Sequence, residues 1–260
     1  MKKLQTSYIC LILIFSFCII ISQYAIIDKN IDNSALVSSQ VNDENKIIYL
    51  TFDDGPSENT IKILDILDKY EISATFFVVG PSYKAKNDLL KEIINRGHTL
   101  AIHSYNHIYS QIYSDQEEFF QDFNLCLKWI KSMTNVEPLL YRFPGGSSNT
   151  IANKDLIMQI IITLENQGYK HVDWNVDSLD SKYNNDSSII KNNVANGIKL
   201  NEENKIYTQT ILMHDNTKKV GTIYSLPTII EFCLSKGYQF KTLTIDSPLI
   251  QHVKKPKQGL

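Results

Sequence analysis

Neither sign of charge prevails in this 260-residue chain: 26 Lys and Arg stand against 28 Asp and Glu, a net charge of −2. That leaves no basic footprint for nucleic acid, so none is expected as a partner. Cysteine is scarce. Of the four, Cys10 and Cys18 fall in an apolar N-terminal run, and Cys126 and Cys233 lie in helical patterns further on. Two thiols so far apart specify no disulfide framework, and both read as buried core residues. Internal repeats, a linker within the main body and a second domain are also missing. With 43% hydrophobic and 21% charged residues, the composition suits one globular domain with a sizeable core.

Met1, Lys2 and Lys3 precede a mostly apolar run over residues 8–27. The run reaches the roughly 20 residues that a membrane-spanning helix needs. It has no clear small-residue cleavage site; residues 22–25 come nearest. The expectation over 1–27 is a hydrophobic helix, an uncleaved anchor in preference to a cleaved signal peptide, with the lysines on the cytoplasmic side. Either way the remainder is expected to be extracytoplasmic. Residues 28–45 are rich in Asn, Ser and Asp and read as a polar linker. The domain proper is expected over 46–247, followed by a basic tail over 248–260 that is loose from His252 onward.

Seven apolar runs read as strands: 46–50, 72–79, 98–102, 139–143, 169–175, 206–213 and 238–244. Between them, 59–70, 83–95, 115–133, 153–167, 187–196 and 224–235 carry helical periodicity. Ser57 is placed to cap the first helix, and Gly97, Gly168, Gly197 and Gly237 follow later ones. This alternation of strand and helix argues for an α/β fold with a parallel sheet or barrel.

The chemistry gathers just after strands. Asp53 and Asp54 close the first, ahead of a Gly55-Pro56 breaker. Neighbouring side chains on a strand point to opposite faces, so one carboxylate can face a metal while the other stays free to take a proton. His103 and His107, four apart after the third strand, can chelate a cation. One Asp with two His makes a three-ligand set with an open position, as in hydrolytic zinc centres. Arg142 follows the fourth strand and can brace a carboxylate with a bidentate pair. Gly145 and Gly146 let backbone approach a ligand and present an N–H. Asp173 lies near the end of the fifth strand, with Asp177 and Asp180 after it, and His214 and Asp215 follow the sixth. In parallel sheets and barrels, these C-terminal strand ends are the catalytic face.

Five segments carry a family resemblance: Thr51-Phe-Asp-Asp-Gly-Pro56, His103-Ser-Tyr-Asn-His107, Arg142-Phe-Pro-Gly145, 174–180 and Leu212-Met-His214. Their order is similar to that of the polysaccharide deacetylases, the NodB-homology domain of carbohydrate esterase family 4. The resemblance spans 46–247. It implies a distorted (β/α)7 barrel, one divalent metal (zinc, with cobalt or nickel as alternatives) and removal of acetyl groups from sugars. Asp54, His103 and His107 would be the metal ligands, Asp53 the general base, and Arg142 its brace. His214 would be the general acid, oriented by Asp180, with Asp177 as the rival. The Gly145 N–H would help form an oxyanion hole, and Leu212 would line the pocket for the acetyl methyl. Two positions depart from the family pattern: Gly145 stands where an aromatic residue is frequent, and Ser181 where Trp is frequent. An outward-facing anchor and the lack of a carbohydrate-binding module favour peptidoglycan N-acetylglucosamine as substrate for a monomeric enzyme. Chitin oligomers, xylan or an exopolysaccharide are alternatives, as is a catalytically inactive sugar-binding member.

Overall fold

The computed structural model describes residues 46–81 and 86–255. The apolar run over 8–27 and the linker over 28–45 lie outside the described residues. Among those described, no helix is long and apolar enough to cross a membrane.

Eight strands form: β1 (Ile47–Asp53), β2 (Thr75–Val79), β3 (Thr99–Ser104), β4 (Leu140–Tyr141), β5 (Lys170–His171), β6 (Val176–Asp177), β7 (Thr208–His214) and β8 (Gln239–Phe240). The helices are α1 (Glu58–Lys69), α2 (Lys86–Asn95), α3 (Tyr109–Ile112), α4 (Gln116–Thr134), α5 (Lys154–Asn166), α6 (Ser187–Glu203) and α7 (Val220–Ser235). All strand pairs are parallel, in the order β5-β4-β3-β2-β1-β7-β6. Strand β8 takes β1 at Ile47 and Ile48, on the edge that β2 takes at 51–53.

The sheet must curl. Strands β5 and β6 end the order at opposite sides, yet residues 172–175 alone separate them. Seven flat strands would span about 29 Å at roughly 4.8 Å spacing. Five residue steps reach about 17 Å at most. The result is a half-barrel of parallel strands, the α/β class expected. The eighth strand arises beside the fifth predicted one, 169–175: that range forms only β5, then breaks, and the additional short strand β6 follows just past its end. The break has a cause. The Asp173 N–H donates to the Ile250 carbonyl at 2.7 Å instead of to a neighbouring strand.

Strand β1 is buried on both faces, as its unbroken apolar run requires. Ile48, Leu50 and Phe52 point outward into the main core beneath the helices. Tyr49 points inward to a second cluster with Phe77, Ala101, Leu140, Val172 and Leu243. That cluster is the apolar floor of the half-barrel. Two residues along the same inward face come Thr51 and Asp53. Strand β1 thus runs through Asp53, three residues beyond the predicted end.

Helix α1 is capped by Ser57, whose hydroxyl accepts the Asn59 N–H at 3.1 Å. Helix α6 passes through Gly197 without stopping: a Cβ there would sit 3.0 Å from Val176 Cγ1, so this glycine serves close packing on β6. The tail, expected to be loose from His252, is anchored at 252–253. The His252 N–H donates to Asp173 Oδ2 at 2.7 Å, the Val253 N–H donates to Ser147 Oγ at 3.0 Å, and His171 Nε2 donates to the Val253 carbonyl at 2.8 Å.

Candidate active site

Strands β1 and β7 place Asp53 opposite His214 and Thr51 opposite Leu212. Laterally paired residues share a face, so all four look into the half-barrel. Asp54 is the first residue off the strand. Its φ of +73° swings its carboxylate back to the same mouth, which alternation alone would forbid. The loop stays tight because any Cβ at Gly55 would collide with the Asp215 carboxylate.

Asp54, His103 and His107 come together. Asp54 Oδ1 lies 3.5 Å from His103 Nε2 and 3.2 Å from His107 Nε2. Ligand bonds of about 2.0–2.2 Å at tetrahedral angles set neighbouring donor atoms about 3.3 Å apart. The three donor atoms fall within 4.8 Å of one another, and no fourth protein ligand joins them among the described residues. His103 Nδ1 donates to the Arg142 carbonyl at 2.8 Å, which turns Nε2 toward Asp54. These residues fit a divalent cation with an open position. Burial pushes the Asp54 carboxyl up, but hydrogen bonds from His103 and His107 outweigh it and hold the group well below the usual carboxylate range. For His103, burial pushes the imidazole down, and Asp53 and Asp54 together raise it above its ordinary value. A cation arriving there would displace that proton.

Arg142 is fully buried. One guanidinium nitrogen, Nη1, donates to both Asp53 Oδ1 and Thr51 Oγ1 at 2.8 Å. Nε donates to the Val172 carbonyl at 2.9 Å and Nη2 to the Asp173 carbonyl at 3.1 Å. The bidentate pairing expected with a carboxylate is not formed, because the β5–β6 break claims the rest of the fork. The guanidinium lies 4.1 Å above the Phe77 ring, so the apolar floor carries the arginine and the arginine carries Asp53.

His214 meets Asp180, which is fully buried. Asp180 Oδ1 lies 2.7 Å from His214 Nδ1, and Oδ2 accepts the His214 N–H at 2.8 Å and the Thr222 hydroxyl at 2.6 Å. Asp177 instead accepts the Leu179 N–H at 2.8 Å, and burial pushes its carboxyl up. Of the two rivals, Asp180 is the one that His214 touches. Leu212 is buried two residues before His214 on the same face. Gly145 is exposed, with φ +77°, and its N–H has no acceptor among the described residues.

Two supporting residues, Asp122 and Asn216, carry no signal that the sequence reading uses, and two more, Asp173 and Asp215, stand there without a role. Asp122, on α4, accepts the Ser104 hydroxyl at 2.7 Å and the Tyr105 and Asn106 N–H groups at 2.8 Å, and Ser104 Oγ accepts the His107 N–H at 2.9 Å. It thus shapes the loop that carries His107. A lone carboxylate within the apolar face of Phe119, Phe123 and Cys126 was the signal. Asp215 accepts the Thr60 hydroxyl at 2.6 Å and is pushed up to about 7 by burial. Asn216 donates to Asp54 Oδ2 at 3.0 Å. Asp173 binds Ser147 and the chain's tail: Oδ1 accepts the Ser147 N–H at 2.8 Å and Oδ2 the Ser147 hydroxyl at 2.6 Å.

Known proteins resemble this chain in sequence and in fold. A sequence model described as polysaccharide deacetylase matches residues 40–160. A peptidoglycan-N-acetylglucosamine deacetylase of Bacillus cereus is 32% identical over 207 residues, covering 76% of this chain and 69% of that one. A second Bacillus cereus protein of the same name is 30% identical over 223 residues, covering 83% of this chain and 95% of its own length. The crystal structure of the catalytic domain of peptidoglycan N-acetylglucosamine deacetylase from Eubacterium rectale superposes with a TM-score of 0.73 at 37% identity, covering 80% of this chain and 93% of that one. With relatives of 30% identity or more matched along most of its length, the chain belongs to the polysaccharide deacetylase family.

Proposed function

We propose that this protein is a divalent-metal-dependent deacetylase of the cell wall, releasing acetate from N-acetylglucosamine in peptidoglycan. The observation that carries the reading is the pairing of Asp53 with His214 across β1 and β7, beside Asp54, His103 and His107. It puts a proton acceptor and a proton donor on either side of one small space. The names of the relatives supply the glycan, and the apolar run over 8–27 accords with a position outside the cytoplasm.

A divalent cation, zinc being the usual choice for such ligands, would be held by Asp54, His103 and His107 and would supply Lewis acidity toward the acetyl carbonyl. Asp53 takes a proton from the attacking water, and Arg142 keeps that carboxylate aimed. The Gly145 N–H donates to the oxyanion that develops as the carbonyl carbon becomes tetrahedral. Leu212 gives the acetyl methyl an apolar wall. His214, whose Nδ1 is engaged by Asp180, presents Nε2–H to the departing nitrogen. The C–N bond breaks, the nitrogen leaves as an amine, and the oxygen from water remains in acetate.

The test is acetate release by the zinc-loaded protein from peptidoglycan, chitooligomers and acetylated xylan, each with and without prior chelation. Release that is greatest on peptidoglycan and lost on chelation is expected. Release that survives complete metal removal would overturn the metal dependence, and preference for another glycan would overturn the substrate.

A further inference from the structure

Tyr109 opens the short helix α3, two residues past His107. Its ring meets His107 edge-on, with centroids 5.3 Å apart and planes at 88°. On its other side stands Tyr113 at 6.1 Å, whose hydroxyl donates to the Pro144 carbonyl at 2.8 Å. Tyr109 is thereby tied both to the loop of His103 and His107 and to the turn that carries Gly145.

The same ring fills the space that a side chain at position 145 would need. A Cβ on Gly145 would lie 3.2 Å from Tyr109 Cε1 and 3.4 Å from its hydroxyl oxygen. With φ at +77°, position 145 favours glycine on backbone grounds as well. Gly145 offers a bare peptide and no wall of its own, so the wall beside it comes from Tyr109. Across the turn, Trp174 plays the matching part against Gly146, but its ring is covered by His252 at 5.2 Å. Tyr109 is half-buried, and its hydroxyl has no hydrogen-bond partner among the described residues. A phenol with an apolar body and an unspent donor suits a ligand that has both C–H faces and hydroxyls.

We propose that Tyr109 is the substrate-positioning residue of this site: its ring packs against the N-acetylated sugar, and its hydroxyl donates a hydrogen bond to an oxygen of that sugar. The proposal rests on the deacetylase reading for its ligand, and its test separates the two. Tyr109→Phe and Tyr109→Ala, made in the full chain and loaded with zinc, are compared with wild type on tetra-N-acetylchitotetraose and on an aryl acetate that carries no sugar. Binding of the tetramer to the metal-free proteins is titrated in parallel.

For Tyr109→Phe, KM for the tetramer is expected to rise about fivefold, with a smaller change in kcat. For Tyr109→Ala the rise is about tenfold or more. The loss on the tetramer should exceed that on the aryl acetate in both variants, the metal content should match wild type, and binding to the metal-free protein should weaken in step with KM. Unchanged KM and unchanged binding would overturn the proposal, as would equal losses on both substrates, which indicate a structural role only. If wild type binds the tetramer without releasing acetate and Tyr109→Ala weakens that binding, the positioning role stands and the deacetylase reading falls. If wild type does not bind the tetramer, the positioning role falls too.

Discussion

Asp180 grips His214 at two points, with one carboxylate oxygen on the ring Nδ1 at 2.7 Å and the other on the main-chain N–H at 2.8 Å. The double contact fixes both the tautomer and the ring's direction. Burial pushes the imidazole down, but Asp180, with Asp53 and Asp54 beyond it, raises it to about 9. The proton is therefore held at neutral pH. In Asp180→Asn, the His214 titration followed by NMR on metal-free protein should move from about 9 toward or below the ordinary 6.5. A titration that stays put would contradict the pairing.

That shift has a stability counterpart. The folded pKa lies above the unfolded one, so the stabilisation is fully present below about 6.5 and is lost as pH rises through about 9. Urea midpoints of wild type and Asp180→Asn should differ most below pH 6.5 and draw together above pH 9. A gap that widens with alkaline pH would show that another group governs the difference.

The division of labour between the adjacent aspartates can be read in two variants. Asp53→Asn should retain bound metal and lose about 10²–10⁴ in turnover, the range for a general base. His103→Ala should lose the metal itself, as elemental analysis after gel filtration would reveal. Robust turnover in the first, or wild-type metal content in the second, would reassign the residue concerned.

Arg142 is a buried charge whose donors all go to buried acceptors. Arg142→Met leaves Asp53 without its counter-ion and orphans the Val172 and Asp173 carbonyls. A loss of about 3–5 kcal/mol in denaturant unfolding is expected, as for other broken buried pairs. A loss below about 1 kcal/mol would mean that water replaces the guanidinium, contrary to its complete burial.

Asp122 touches no ligand atom, yet it accepts three hydrogen bonds from residues 104–106. Asp122→Ala should weaken metal binding about 10–100-fold through loss of loop order. Competition with a chromophoric chelator would measure it, and an unchanged affinity would show that the 104–107 loop holds its shape alone.

Much of this site is legible in the sequence because it obeys one rule: side chains with chemistry follow apolar strands. Asp53, Asp54, His103, His107, Arg142 and His214 all do. What escaped has a different logic. Asp122 serves from beneath, and so does Asp215, which the sequence shows without its role; their hydrogen bonds come from residues 104–106 and from Thr60, which only the fold brings near. The break at Asp173 was hidden because its partners, Ser147 and residues 250–252, are distant in sequence. Gly197 reads as a helix end in the sequence, but it is the point where α6 rests on Val176. Tyr109 carries no motif at all; its importance lies in the empty side of Gly145.

The place of β7 beside β1 also orders events in time. Asp54, His103 and His107 belong to the first three strands and the turns that follow them, a stretch of neighbours along the chain. His214 joins them only when β7 docks on β1 across a separation of 161 residues, since Asp53 pairs with His214. Contacts that far apart close late and at high entropic cost. Asp54, His103 and His107 can therefore come together before His214 arrives, and damage to the β1–β7 seam is expected to displace His214 while leaving those three in place.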